Sequence, residues 1–198
     1  MQIRGAVTLA SHNAGKLAEL AKLANGAFEL RLLPREPAPP VVDEDQDTYV
    51  GNALKKARAV ADFVGGAALA DDSGLEVDAL GGAPGVRSAR YGGPGLDDAG
   101  RCALLLRQLG DEPRRSARFR CALVLVQGDE WIVGEGTLEG EITREPRGAG
   151  GFGYDPVFLV PSLGRTLAAI PAEEKNRISH RAAAMRALLA RLRGETAG

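Results

Sequence analysis

The sequence predicts an α/β protein, and three observations carry that prediction. A strand candidate, a polar turn and a helical face follow one another from Ala6. The apolar run from Ala67 to Ala70 meets two adjacent carboxylates, Asp71 and Asp72, in what reads as a strand end. Ala117–Gln127 and Glu130–Thr137 read as two strands of a hairpin about Gln127-Gly128-Asp129. A chain of 198 residues suits one domain over residues 1–198, built as two lobes sharing a sheet. It is long enough to bury a core without staples.

Composition excludes several classes. Lys plus Arg number 25 against 26 Asp plus Glu, so no global basic field exists to hold a polynucleotide. The two cysteines, Cys102 and Cys121, lack metal-ligand or Cys-x-x-Cys spacing and read as buried reduced thiols. No apolar run approaches the roughly 18 residues of a membrane span, and no signal-peptide core opens the chain, which points to the cytoplasm.

In order, Ala6–Ala10 reads as the first strand, and Ser11-His12-Asn13-Ala14-Gly15-Lys16 leads into a helix whose buried stripe is Leu17, Leu20, Ala21 and Ala24. Ser11 or Asn13 can cap that helix. A cation in a first turn opposes the macrodipole, so Lys16 suits either an anionic ligand or plain solvent. Phe28–Leu33 is a second strand candidate. Pro34, Pro37, Pro39 and Pro40 then force an extended connector, expected to cross between lobes. Asp43-Glu44-Asp45-Gln46-Asp47 precedes a helix over 48–64, with Asp47 as its expected cap and with room for Glu44 to reach a metal.

At Asp71-Asp72 the Asp-Ser-Gly that follows predicts a turn reversing the strand. The carboxylate pair fits a hard divalent ion, or an acidic turn with both side chains in water. Leu75–Leu80 then reads as a separate strand, and Gly81–Gly95 as a long irregular loop. Asp97 or Asp98 starts a helix through Leu109, stopped at Gly110. Apolar residues on both parities mark Ala117–Gln127 as a strand covered on both faces.

Gly148, Gly150 and Gly153 match Gly-x-Gly-x-x-Gly by letters alone. Pro156 disfavours a helix there and no acidic residue follows at the required distance, so the dinucleotide reading fails. What remains is a flexible loop presenting Phe152, Tyr154 and Asp155, an aromatic surface beside an acceptor as a nucleobase pocket requires. Near the end, Lys175, His180 and Arg181 lie at or before a helix start, either drawn there by an anion or lining a solvated basic face.

Together these stretches resemble the nucleoside triphosphate pyrophosphatases that hydrolyse inosine, deoxyinosine and xanthosine triphosphates. The marks are Ser-His-Asn-Ala-Gly-Lys at 11–16, Gly-Asn-Ala at 51–53, Ala-Asp-Asp-Ser-Gly-Leu at 70–75, Gly-Ala-Pro-Gly-Val-Arg-Ser-Ala-Arg-Tyr at 82–91, Gly-Gly-Phe-Gly-Tyr-Asp-Pro at 150–156, and Glu-Glu-Lys to Ser-His-Arg at 173–181. The resemblance implies an elongated α/β fold of that family's type, a central mixed sheet flanked by helices, two lobes around a nucleotide cleft, and a homodimer. It makes Asp72 the catalytic acceptor and, with Glu44, a ligand of Mg²⁺, with Asp71 in support. It sets Ser11, His12, Asn13, Ala14, Gly15, Lys16, Ser73 and Lys175 around the triphosphate. Phe152, Gly153, Tyr154, Asp155, His180 and Arg181 fall around the purine. The chain departs from the family's usual residues at Ser11-His12, at Gly51 and at Ala169. Two other readings stay open: a nucleotide sensor without hydrolysis, and a pyrophosphatase with another base preference.

Overall fold

The computed structural model describes residues 1–195. Seven strands form one mixed sheet in the order β2-β1-β3-β4-β5-β6-β7. They are β1 (Val7–Leu9), β2 (Leu30–Leu32), β3 (Ala67–Val77), β4 (Ser116–Gln127), β5 (Glu130–Ile142), β6 (Phe158–Val160) and β7 (Arg165–Thr166). The helices are α1 (Ala14–Ala24), α2 (Tyr49–Val64), α3 (Asp98–Leu109), α4 (Ala172–Ile178) and α5 (His180–Leu192). The chain divides into two compact units, the first over 1–72, 121–136 and the segment from His180, the second over 73–120 and 137–179.

In the first unit β1 pairs in parallel with β2 on one side and β3 on the other. The connections β1–α1–β2 and β2–α2–β3 run in opposite directions along the sheet, so a single crossover handedness puts α1 and α2 on opposite faces. The side chains follow that division. Val7, Leu9, Ala67, Leu69, Cys121, Leu123 and Leu125 pack with Leu20 of α1 and with Ala184, Met185 and Leu188 of α5. Residues of the other parity, Ala68, Ala70, Val124 and Val126, pack with Ala53, Ala57, Val60 and Ala61 of α2. Each central strand is therefore apolar on both parities, as the sequence of β4 indicated.

Helix α5 lies unusually close to β5. A Cβ added at Gly136 would stand 2.2 Å from the His180 carbonyl oxygen and 2.3 Å from the Ala184 nitrogen, so only glycine lets the two backbones meet there.

The second unit has its own core, with Leu75, Cys102, Leu105, Phe119, Tyr154, Phe158 and Leu167 among its buried members.

Several sequence expectations change. The Asp-Ser-Gly turn is absent: β3 runs for 11 residues straight through Asp71-Asp72-Ser73-Gly74 to Val77, and a short 3₁₀ turn at Asp78–Leu80 replaces the rest of the expected second strand. Sheet pairing overrides turn preference here, because β3 is flanked by β4. The proline-rich connector spans 33–48 and joins β2 to α2 within the first unit rather than crossing to the second. Thr48, not Asp47, caps α2, its hydroxyl accepting from the Gly51 N–H at 3.0 Å. Asn13 is the cap of α1. Strand β5 reaches Ile142, beyond the expected Thr137.

Candidate active site

Strand β1 stops at Leu9, in register with Leu69 of β3, and its chain turns away into α1 while β3 continues. Such a divergence at the carboxyl end of parallel strands is where α/β sheets hold ligands. The Ala10 N–H still bonds the Leu69 carbonyl at 2.8 Å, so the loop 10–13 is tied directly beside Asp71 and Asp72.

Because β3 remains a strand there, the two carboxylates point to opposite faces of the sheet. Asp71 shares the face of α1 and α5. The Lys16 ammonium lies 2.8 Å from its Oδ1, and Arg181 Nε donates to its Oδ2 at 3.2 Å. Arg181 also has Glu19 Oε2 at 3.9 Å. Asp72 shares the face of α2. Asn52 Nδ2 donates to its Oδ2 at 3.1 Å, and the Lys56 ammonium is 3.6 Å from its Oδ1. The repulsion expected of adjacent carboxylates is thus relieved by strand alternation and by a separate cation on each face.

The two acids have opposite electrostatics. Burial pushes the Asp71 carboxyl up, but the Lys16 and Arg181 charges outweigh it and hold the group well below its usual range. At Asp72 burial wins over Lys56 and Asn52, and with Glu44 and Asp71 nearby its carboxyl is raised. A raised carboxylate is a better proton acceptor than an ordinary one.

Glu44 is brought in by α2. Asn52 is buried and accepts from the Gln46 N–H at 3.0 Å while donating to the Gln46 carbonyl at 3.3 Å, which pins the acidic connector. Lys56, one turn along, donates to Glu44 Oε1 at 2.7 Å and to the Asp71 carbonyl at 2.7 Å. Burial lowers the Lys56 pKa, yet Asp72 and Glu44 raise it overall. One ammonium therefore binds both Glu44 and Asp72. Among the described residues no three His, Cys, Asp or Glu side chains gather as a metal cage.

Asn52 and Lys56 are the functional candidates that sequence reasoning missed. Their signal was present: two polar residues four apart, each immediately before an apolar stripe residue, Ala53 and Ala57.

In the second unit, no helix opens at the glycine-rich loop; a 3₁₀ turn at Asp155–Val157 follows it instead. Phe152 is half exposed, and the Lys175 ammonium lies 4.8 Å from its ring centroid. Asp155 is buried, accepts from the Phe152 N–H at 2.9 Å and is ion-paired with buried Lys175 of α4. Tyr154 packs into the core, its hydroxyl donating to the Ser88 carbonyl at 2.9 Å.

Among the residues singled out from sequence, the first unit brings together Asn13, Lys16, Glu44, Asp71, Asp72 and Arg181. Ser11 orders the loop by accepting from the Asn13 N–H at 3.1 Å, while His12, Ala14 and Gly15 stand exposed at the entry to α1. His180 is buried at the start of α5. The second unit groups Phe152, Gly153, Tyr154, Asp155 and Lys175, and Ser73 continues β3 beyond Asp72.

Known proteins are similar to this chain over nearly its whole length. A dITP/XTP pyrophosphatase of Methylococcus capsulatus is 48% identical over 99% of this chain and 100% of its own. One of Shigella flexneri is 48% identical over 94% and 98%. The solved structure of a HAM1 protein from Coxiella burnetii superposes with a TM-score of 0.88 at 44% identity, covering 96% of this chain and all of that one. A nucleoside-triphosphatase / dITP/XTP pyrophosphatase from Mycobacterium abscessus gives 0.77 at 46%, over 94% and 98%. Residues 7–191 match the Ham1 family, to which this chain belongs.

Proposed function

We propose that this protein hydrolyses nonstandard purine nucleoside triphosphates (inosine, deoxyinosine and xanthosine triphosphates) to the monophosphate and pyrophosphate, removing damaged purines from the precursor pool. The observation that carries the reading is the pair Glu44 and Asp72 joined through one part-buried cation, Lys56, at the carboxyl end of β1. The names of the relatives support the same chemistry.

Two carboxylates already sharing a positive charge fit Mg²⁺, which is commonly held by one or two carboxylates with substrate phosphates completing its shell. Bound there by Glu44 and Asp72, the ion would supply charge neutralisation to the phosphates. The chain's own residues account for the rest. Asp72, its carboxyl raised by burial, accepts the proton of the attacking water. The water oxygen bonds to the α-phosphorus, the bond from that phosphorus to the α–β bridging oxygen breaks, and pyrophosphate leaves. Lys16 is part-exposed and can exchange Asp71 for a phosphate oxygen, while Lys56 offers a second cation. Phosphoryl chemistry of this kind needs chiefly positioning and charge.

For the base we assign Phe152 as the stacking face and Asp155 with Lys175 as its polar surround. Arg181 is committed to Asp71, so Lys175, set against the Phe152 ring, is the side-chain donor we assign toward a 6-keto oxygen. Adenine would oppose donors with its amino group, so ATP should be turned over on the order of a thousandfold less efficiently. We further propose a homodimer, which sedimentation at dilute concentration would test against the 20.7 kDa chain.

Pyrophosphate release from inosine, xanthosine, adenosine and guanosine triphosphates, with and without Mg²⁺, tests the whole reading. Binding without release would mark a sensor, and equal turnover of ATP and inosine triphosphate would remove the base assignment.

A further inference from the structure

Helix α3 reaches into the Phe152 loop with two side chains one turn apart. Asp98 Oδ2 accepts from the Gly153 N–H at 2.7 Å, and the Cys102 thiol donates to the Gly153 carbonyl at 3.4 Å. Residues four apart share one helix face, so a single element grips both polar groups of one loop residue. Gly153 has φ +60°, a left-handed conformation that glycine enters freely and also leaves freely, so its backbone gains from outside restraint. Cys102 is buried, and burial, then the Asp98 and Asp155 charges, push its thiol up to about 11, so it remains a protonated donor at neutral pH.

The neighbours of Gly153 have other anchors. The Phe152 N–H is held by Asp155 and the Tyr154 hydroxyl by Ser88. What the α3 contacts add is the orientation of the two peptide units that flank the Gly153 Cα, and with it the direction in which the Phe152 ring projects.

We propose that Asp98 and Cys102 are positioning residues for base recognition, clamping Gly153 so that Phe152 is presented in a stacking-ready orientation. The inference rests on reading Phe152 to Asp155 as the base-binding loop. It gives the buried thiol a role in preorganisation, since a loop fixed before binding loses less on ordering.

The test measures hydrogen exchange over residues 150–156 and steady-state kinetics with inosine triphosphate in Cys102→Ala, Cys102→Ser and Asp98→Ala. Both alanine variants should speed exchange and raise KM by about two- to tenfold, the worth of one hydrogen bond, with kcat within about twofold. Cys102→Ser keeps a donor and should restore both readouts. A merely structural role would lower thermal stability without this split between KM and kcat. Asp98 is exposed at the first turn of α3, so its variant stays readable even if the buried Cys102 variants fold poorly. Unchanged exchange in the alanine variants would overturn the clamp and leave the base-loop reading standing. Faster exchange with unchanged KM would overturn the role in recognition, and would locate the failure in the base-loop reading itself. Serine behaving like alanine would also overturn the hydrogen-bond argument.

Discussion

Replacing Asp71 and Asp72 one at a time by asparagine should separate two neighbouring carboxylates that occupy opposite faces of β3. Asp71 and Arg181 have side chains only 3% and 4% exposed. Removing one member of such a pair strands a buried charge, at about 3–5 kcal/mol. Glu19 remains 3.9 Å from Arg181, and Lys16 can turn to solvent, so the lower end, about 3 kcal/mol, applies. For a chain of this size that is a fall in Tm of about 6–12 °C. Asp72→Asn is different. Its amide oxygen can still accept from Asn52, Lys56 keeps Glu44, and the charge removed is one that burial already disfavours. Metal-free Tm should move by less than about 1 kcal/mol equivalent, or rise. Hydrolysis of inosine triphosphate should drop at least about a thousandfold, because the proposed proton acceptor and the proposed metal ligand are the same group. Asp78→Asn, which touches only the exposed ion pair with Arg118, is the silent control. Calorimetry without metal and pyrophosphate release decide the matter. Equal loss of stability in the two variants, or near-normal turnover in Asp72→Asn, would refute the division of labour across β3.

Gly136→Ala places a methyl group against the backbone of α5, so it should cost about 1–3 kcal/mol or more, whereas Gly66→Ala, whose added Cβ would meet atoms no nearer than 3.9 Å, should stay within about 0.5 kcal/mol. Chemical denaturation of both variants checks the contrast, and indifference at Gly136 would mean that α5 sits farther from β5 than described. A second expectation concerns acid. The folded Asp71 carboxyl titrates below its ordinary value of 3.8, so the unfolded chain binds the extra proton in that window. Its stabilisation is complete above that range and is lost as pH falls through it toward the depressed folded value. Acid unfolding followed by circular dichroism should therefore show the gap between the natural protein and Asp71→Asn closing below about pH 4, and a constant gap would contradict the pairing.

Much of the candidate site was legible in local chemistry. The strand and helix at Ala6–Ala24 follow from apolar periodicity, with the cap narrowed to Ser11 or Asn13, of which the structure uses Asn13. The rejection of a dinucleotide loop at Gly148–Gly153 rested on Pro156, through its effect on the preceding residue, and on the lack of an acidic residue at the required distance. Asn52 and Lys56 were harder to see, since a polar residue beside an apolar stripe has the same local signature whether it faces water or a buried carboxylate.

By itself the sequence determined that β4 is buried on both faces, approximately where α1, α2 and α3 begin, and which residue types could carry charge to a phosphate. Alternation of Ala67 to Asp72 even contained the answer for the carboxylates, provided the strand continued. Whether it continued was a tertiary matter: Asp-Ser-Gly prefers a turn in isolation, and β4 lying alongside holds it extended. The partners were tertiary as well. Asp71 meets Lys16 across 55 residues of chain and Arg181 across 110, pairings that no periodicity of 2 or 3.6 encodes. They arise because β3 places one carboxylate on the face that α1 and α5 cover and the next on the face of α2. Which cation each acid receives is thus decided by the packing of helices on a sheet, which brings side chains distant in sequence into direct contact.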